Sequence, residues 1–117
     1  YYLGSIIEKE KHNYEISQEI IKKKLKLNLK ESCKKIIDHF YYNNINELKF
    51  NSKIFIYPGY TFKACDQLIT NFHYPKSSLI LLIASFIGKD WREVYKFAKE
   101  NNYRFLSYGD SSLLFRK

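Results

Sequence analysis

At 117 residues the chain has room for one small domain or for a piece of a larger one, and its hydrophobic content of 45% is that of a folded protein rather than a disordered one. The net charge of +8 points toward nucleic acid or another anionic surface as a partner. The most apolar run, Leu79 to Ile87, is far shorter than the ~20 residues that cross a bilayer, which argues against membrane association through a spanning helix.

The first thirteen residues carry no strong period and read as an irregular lead-in with room for a short strand. Ser17 is placed to cap a helix through Gln18, Glu19, Ile20 and Ile21, with Glu19 favoured near its positive end. Leu25-Lys26-Leu27-Asn28-Leu29 alternates with period two, which predicts a strand. Cys33, Ile36, Ile37 and Phe40 recur at helical spacing and predict a helix from Glu31 to Tyr42, ended by the loop Asn43-Asn44-Ile45-Asn46. Ile54-Phe55-Ile56-Tyr57 predicts a strand stopped by a tight turn at Pro58-Gly59.

A short strand around Leu68-Ile69-Thr70 leads into a loop from Asn71 to Lys76, and Ser77 is a candidate cap for a buried helix from Ser78 to Ile87, closed by Gly88. Asp90 and Glu93, three residues apart, predict a capping box. It would open an amphipathic helix that buries Trp91, Val94, Tyr95 and Ala98 and stops at Asn101-Asn102. Arg104 to Ser107 predicts a strand, Tyr108-Gly109-Asp110 a turn, and Ser112 to Phe115 a terminal strand. Strands alternating with helices predict an α/β class. With no internal repeat and no low-complexity linker, residues 1–117 read as a single partial α/β domain.

Lys22, Lys23, Lys24, Lys26, Lys30, Lys34 and Lys35 crowd one stretch. They form either a phosphate-tracking patch with salt-dependent affinity for RNA or a solvated face whose lysines follow the codon bias of an AT-rich genome. Cys33 and Cys65 stand alone and His12, His39 and His73 are scattered, so no metal site is expected. Two lone cysteines, with neither a basic leader nor a long apolar core at Tyr1-Tyr2-Leu3-Gly4, lead us to expect a cytoplasmic protein.

Three segments stand out: residues 54–60 (Ile-Phe-Ile-Tyr-Pro-Gly-Tyr), 66–78 (Asp-Gln-Leu-Ile-Thr-Asn-Phe-His-Tyr-Pro-Lys-Ser-Ser) and 103–110 (Tyr-Arg-Phe-Leu-Ser-Tyr-Gly-Asp). In that order and spacing they resemble the C-terminal third of the S-adenosylmethionine:tRNA ribosyltransferase-isomerases of queuosine biosynthesis. The patterns of that family read IFIYPG, D-x-L-[IV]-T-N-F-H-L-P-x-S-T and Y-R-F-F-S-Y-G-D. The likeness is strong over residues 53–115 and weak over 1–52, where His12 aligns with a family His. A family Gly-Thr-Thr-Ser-Val-Arg landmark falls by spacing on Leu29-Lys30-Glu31-Ser32-Cys33-Lys34, and only Ser32 matches. Leu29, Lys30 and Glu31 cannot reproduce a glycine-and-hydroxyl turn that brings backbone N–H groups against a ligand. Lys34 lacks the planar fork of an Arg.

The resemblance implies a larger α/β domain with an inserted β-barrel domain, of which this chain supplies part of the α/β core without the barrel. Without an initiator Met, and with the family's N-terminal part missing, an upstream polypeptide is expected as a further partner. The implied activity moves the ribosyl part of S-adenosylmethionine, a co-substrate, onto the 7-aminomethyl-7-deazaguanine of a tRNA anticodon. The product is epoxyqueuosine. The alternatives are an inactive remnant and a non-enzymatic basic RNA-binding fragment. Loss of the parent domain is expected to expose the faces of Ile54-Phe55-Ile56 and of Leu79 to Ile87.

The loop Asn71-Phe72-His73-Tyr74-Pro75-Lys76 is the best candidate site, because it joins an amide, an imidazole and a cation to a helix N-terminus that favours anions. His73 either works as a general acid or base or hydrogen-bonds backbone to hold the loop. Asp66 either meets a ribose hydroxyl or the incoming amine, or stabilises a turn. Lys76 and Ser77 are candidate phosphate or carboxylate contacts, with Asn71 and Phe72 beside them. Tyr57, which the resemblance raises to a base-stacking residue, otherwise shapes the Pro58-Gly59 turn. Arg104, Tyr108 and Asp110 form a polar end in which Arg104 grips phosphate or pairs with Asp110.

Overall fold

The computed structural model describes residues 1–7 and 13–116, which fall into two units, Tyr1–Phe55 and Ile56–Lys117. His12 lies outside the described residues. Each unit mixes helices with a two-stranded sheet, in keeping with the α/β class.

The first unit contains α1 (Tyr2–Ile6), β1 (Tyr14–Ile16), a 3-10 turn (Gln18–Lys22), α2 (Leu29–Asn43) and β2 (Phe50–Ser52). Helix α1 replaces the irregular lead-in expected there; at five residues it is too short for a hydrophobic period to reveal it. It packs on α2 through Gly4, where an added Cβ would overlap the carbonyl and hydroxyl of Ser32. The Ser32 hydroxyl donates to the Tyr1 carbonyl at 2.6 Å, and the Tyr1 phenol donates to the Leu27 carbonyl at 2.9 Å. Strands β1 and β2 run parallel, with Tyr14 opposite Phe50.

Two predicted strands are absent from this part of the chain. Residues 25–28 keep the alternation of half-buried Leu with exposed Lys and Asn, yet none of them enters a ladder among the described residues. Asn28 instead starts α2: its side chain accepts from the Glu31 N–H at 2.9 Å, and the Glu31 carboxylate accepts from the Asn28 N–H at 2.8 Å. Residues 54–57 likewise lie outside any ladder. The Gln18 side-chain amide takes the place of a neighbouring strand by bonding both the N–H and the C=O of Phe55. The turn that follows is present, with the Tyr60 N–H on the Tyr57 carbonyl at 3.1 Å and Gly59 at φ 102°. In α2 the buried positions are Ser32 and His39, while Cys33 and Ile37 are exposed, so the packed stripe is rotated from the one read in the sequence.

The second unit contains β3 (Gln67–Asn71), α3 (Leu79–Ile87), a 3-10 turn (Gly88–Asp90), α4 (Trp91–Glu100) and β4 (Ser111–Phe115). Strands β3 and β4 pair antiparallel with Ile69 opposite Leu113. Their inner residues Leu68 and Leu114 join Phe72, Ile80, Ile83, Phe86, Ile87, Tyr95 and Ala98 in one core. On the outer face Ile69 is 74% and Leu113 51% exposed, an apolar strip not anticipated from the sequence. Leu79 and Leu81 of α3 and Phe55 are exposed as expected, whereas Ile80, Ile83, Phe86 and Ile87 of α3 are buried.

Neither helix of this unit begins with the side-chain cap read from the sequence. The cap position of α3 falls on Ser78 rather than on Ser77, whose hydroxyl has no hydrogen-bond partner among the described residues. Ser78 and Asp90 hold helical rather than extended backbone angles, and neither makes a side-chain cap bond. Gly88 closes α3 at φ 64°. The strand expected at Arg104 to Ser107 is instead a loop. Leu106 sits at φ 71° and the Asp110 carboxylate takes the Arg104 N–H that a ladder would have used.

The Gly4 contact predicts that Gly4→Ala forces α1 off α2 and lowers the stability of the first unit by about 1–3 kcal/mol in denaturant unfolding. An unchanged midpoint would contradict this packing.

Candidate functional site

The second and third motif segments interlock in the second unit. The Phe72 N–H donates to the Asp110 carbonyl at 3.2 Å, and the Phe72 carbonyl accepts from the Leu106 N–H at 2.8 Å. Asn71, at the end of β3, donates from its side chain to the Leu106 carbonyl at 3.1 Å and accepts from the Ser111 hydroxyl at 2.6 Å. The loop from Arg104 to Asp110 is therefore pinned against the end of the β3–β4 ladder, and Gly109 fits because a Cβ there would strike the backbone of Arg104 and Phe105.

Two residues beyond β3, His73 is half-buried. Its backbone N–H donates to the Tyr95 phenol at 3.1 Å, and its Nε2 lies 3.0 Å from the Thr70 hydroxyl. When that hydroxyl donates to the Asn71 carbonyl, Nε2 carries the ring proton and Nδ1 is left as an acceptor. The loop then runs through exposed Tyr74, Pro75 and Lys76 to Ser77, whose hydroxyl is buried without a hydrogen-bond partner among the described residues.

The remaining candidates fall in different places. Phe72 is 4% exposed and belongs to the core, edge-on to Tyr95 and Tyr103. Asp66 sits at the opposite end of β3 from His73, roughly 20 Å away by strand rise, so the two do not share one site. Its carboxylate pairs with Arg116 at 2.7 Å, and the same guanidinium bonds the Phe62 carbonyl at 2.8 Å. Arg104 pairs with Asp110 at 3.2 Å, Tyr108 is 94% exposed at the tip of its loop, and Tyr57 lies at the Pro58-Gly59 turn. Among the described residues no group of three His, Cys, Asp or Glu is arranged to hold a metal, and no helix is long and apolar enough to cross a membrane.

Thr70, Tyr95, Ser111 and Arg116 were not singled out in the sequence, although each orients a candidate residue. Tyr95 carried the only usable signal, since a Tyr on the buried face of a helix needs a partner for its phenol.

Two ionisable groups are tuned by this arrangement. The Arg104 N–H, and then its guanidinium, hold the Asp110 carboxyl below its ordinary range. Burial pushes the Tyr95 phenol up, against the opposing effect of the His73 hydrogen bond. Ionised Asp110 therefore steadies the loop above about pH 4, and its contribution is lost as pH falls below that value toward the lowered folded pKa. Neutral Tyr95 contributes below about pH 10 and loses its contribution as pH rises through the raised folded value. The protection of the Arg104 amide relative to its intrinsic exchange rate should fall on acidification, and Asp110→Asn should remove that pH dependence. Tyr95→Phe leaves the His73 N–H unmet and should lower stability by about 1–2 kcal/mol in thermal unfolding, with the loss largest at neutral pH.

Comparisons with known proteins place this geometry. Residues 27–114 match the family model described as queuosine biosynthesis protein. The chain is 49% identical over 75 residues to the S-adenosylmethionine:tRNA ribosyltransferase-isomerase of Rickettsia bellii (strain OSU 85-389), covering 63% of this chain and 21% of that protein. It is 60% identical over 65 residues to the enzyme of the same name from Agrobacterium fabrum, covering 55% of this chain and 18% of that protein. The crystal structure of S-adenosylmethionine tRNA ribosyltransferase from Thermotoga maritima superposes with a TM-score of 0.52 at 33% identity, covering 72% of this chain and 38% of that one. The chain thus spans about a fifth of the length of the curated relatives it matches. With a family match that runs from the α2 cap to β4 and takes in both interlocked segments, the chain belongs to the queuosine biosynthesis protein family.

Proposed function

We propose that this chain is part of a cytoplasmic S-adenosylmethionine:tRNA ribosyltransferase-isomerase. The enzyme transfers and isomerises the ribosyl moiety of S-adenosylmethionine onto the 7-aminomethyl-7-deazaguanine of a tRNA anticodon, giving epoxyqueuosine and releasing adenine and methionine. The observation that supports this most is the interlock of the two family segments, which fixes His73 with its backbone N–H on the Tyr95 phenol and its Nε2 beside the Thr70 hydroxyl. The amine of the deazaguanine must lose a proton when it is alkylated, and the departing adenine must gain one. His73 is the group of this loop suited to both. Asn71, tied to Leu106 and Ser111, holds the loop that presents it. The unpartnered Ser77 hydroxyl and exposed Lys76 suit an anionic group such as the carboxylate of S-adenosylmethionine or a phosphate. Arg104, Tyr108 and Tyr57 lie exposed for RNA, and Asp66 acts with Arg116 away from the reacting atoms.

A second reading, a fragment without turnover of its own, is favoured by the N-terminus of α2. There the family's ligand-facing landmark is replaced by a closed capping box, with Glu31 supplying the anion and Ser32 buried against Tyr1. The two readings separate in one assay: adenine release from S-adenosylmethionine with tRNA carrying the aminomethyl-deazaguanine. We expect silence from this chain alone and turnover when a polypeptide carrying the rest of the family fold is added. His73→Ala should lower that turnover at least about 100-fold, as loss of a general acid or base does. Continued silence after addition would support the fragment reading, and unchanged turnover in His73→Ala would remove His73 from the chemistry.

A further inference from the structure

Helix α4 segregates its charges. At 100° per residue its buried face is centred on Trp91, Val94, Tyr95 and Ala98. Lys99, Arg92 and Lys96 then occupy one flank, with Glu100 at its edge and Glu93 beyond it. A shallow groove of about 410 Å³ follows that flank, lined by Trp91, Arg92, Tyr95, Lys96, Lys99 and Glu100. The Arg92 guanidinium lies 5.1 Å from the centre of the Trp91 ring, which holds its planar fork over an aromatic floor. Arg92 and Lys99 have no carboxylate partner among the described residues, and Lys96 has only a long contact of 3.8 Å with exposed Glu100. A solvated amphipathic helix is expected to intersperse its charges; one that gathers three cations beside a half-buried indole has the composition of a nucleic-acid groove.

We propose that this groove binds a single-stranded stretch of the tRNA substrate, with backbone phosphates on Arg92, Lys96 and Lys99. The identity of the RNA rests on the ribosyltransferase reading above, whereas the groove does not. It also assigns the basic character of the chain differently from the lysine-rich stretch between Lys22 and Lys35, whose side chains are exposed but spread over a 3-10 turn, an extended segment and α2.

Trp91 is the sole tryptophan and reports the groove directly. Titrating the whole chain with unmodified tRNA, and separately with oligouridylate, should quench its fluorescence in a salt-dependent manner. The triple variant Arg92→Glu, Lys96→Glu, Lys99→Glu should weaken binding about tenfold or more at low salt and reduce the salt slope by about two, as loss of three single-strand phosphate contacts requires. The matched charge reversal Lys23→Glu, Lys24→Glu, Lys26→Glu should leave most of the quench in place. The single neutralisation Lys99→Gln, on an exposed position, should weaken binding in the same direction and guards against misfolding of the triple variant. Equal losses in both triple variants would overturn the groove in favour of diffuse charge, and so would unaltered binding in the α4 variants. Quench by oligouridylate but not by tRNA would keep the groove and count against the tRNA reading. No quench by either RNA would overturn the groove alone, since catalysis is read separately by adenine release.

Discussion

The second unit depends on the burial of Phe72. Its ring lies in the core against Tyr95, Tyr103 and Phe105, while its backbone bridges two stretches far apart in sequence by bonding Asp110 and Leu106. An aromatic side chain gains several kcal/mol from burial, and its peptide groups must find partners once water is excluded. Burial of the ring and closure of the Arg104–Asp110 loop are therefore one event. The residues on either side, Asn71 and His73, are thereby fixed at the surface without being buried themselves. In this arrangement a motif of mixed chemistry divides its labour: Phe72 anchors, Asn71 braces, and His73 is presented.

The first unit follows a different logic. Its α1–α2 contact requires Gly4 and fully buries Ser32, and its α2 N-terminus is closed by Asn28 and Glu31. The positive end of a helix is the place where a phosphate or carboxylate is most readily held, but here the chain's own Glu31 answers it. That local closure leaves the N-terminus of α2 already matched to an anion supplied by the chain itself.

Much of this was legible in the sequence. Helices α3 and α4, the β3 and β4 strands and the Pro58-Gly59 turn followed from period, length and turn residues, and the motif spacing gave the family. The failures have specific physical causes. Alternation at Leu25 to Leu29 and at Ile54 to Tyr57 reports which side chains are half-buried, but a strand also needs a ladder partner. Asn28 and Gln18 supplied competing hydrogen bonds instead. The cap read at Ser77 falls one residue later, and Ser78 and Asp90 follow turns that hold them in helical geometry, so their side chains make no cap bond. Within the loop after β3, His73 and Asn71 were candidates because motif spacing isolates them. Their supports Tyr95 and Ser111 come from 22 and 40 residues away, a separation that no local pattern encodes.

The most direct test of this account is residue-resolved amide exchange on the whole chain at neutral pH. If Phe72 joins the two segments, the amides of Phe72, Leu106 and Asp110 should exchange together and at rates close to that of Ile83 in the core. Phe72→Ala should release all three while leaving α2 unchanged. Rapid exchange at Leu106 and Asp110 while β3 and β4 remain protected would show the loop to be an independent flap, and would contradict the interlock on which the placement of His73 rests.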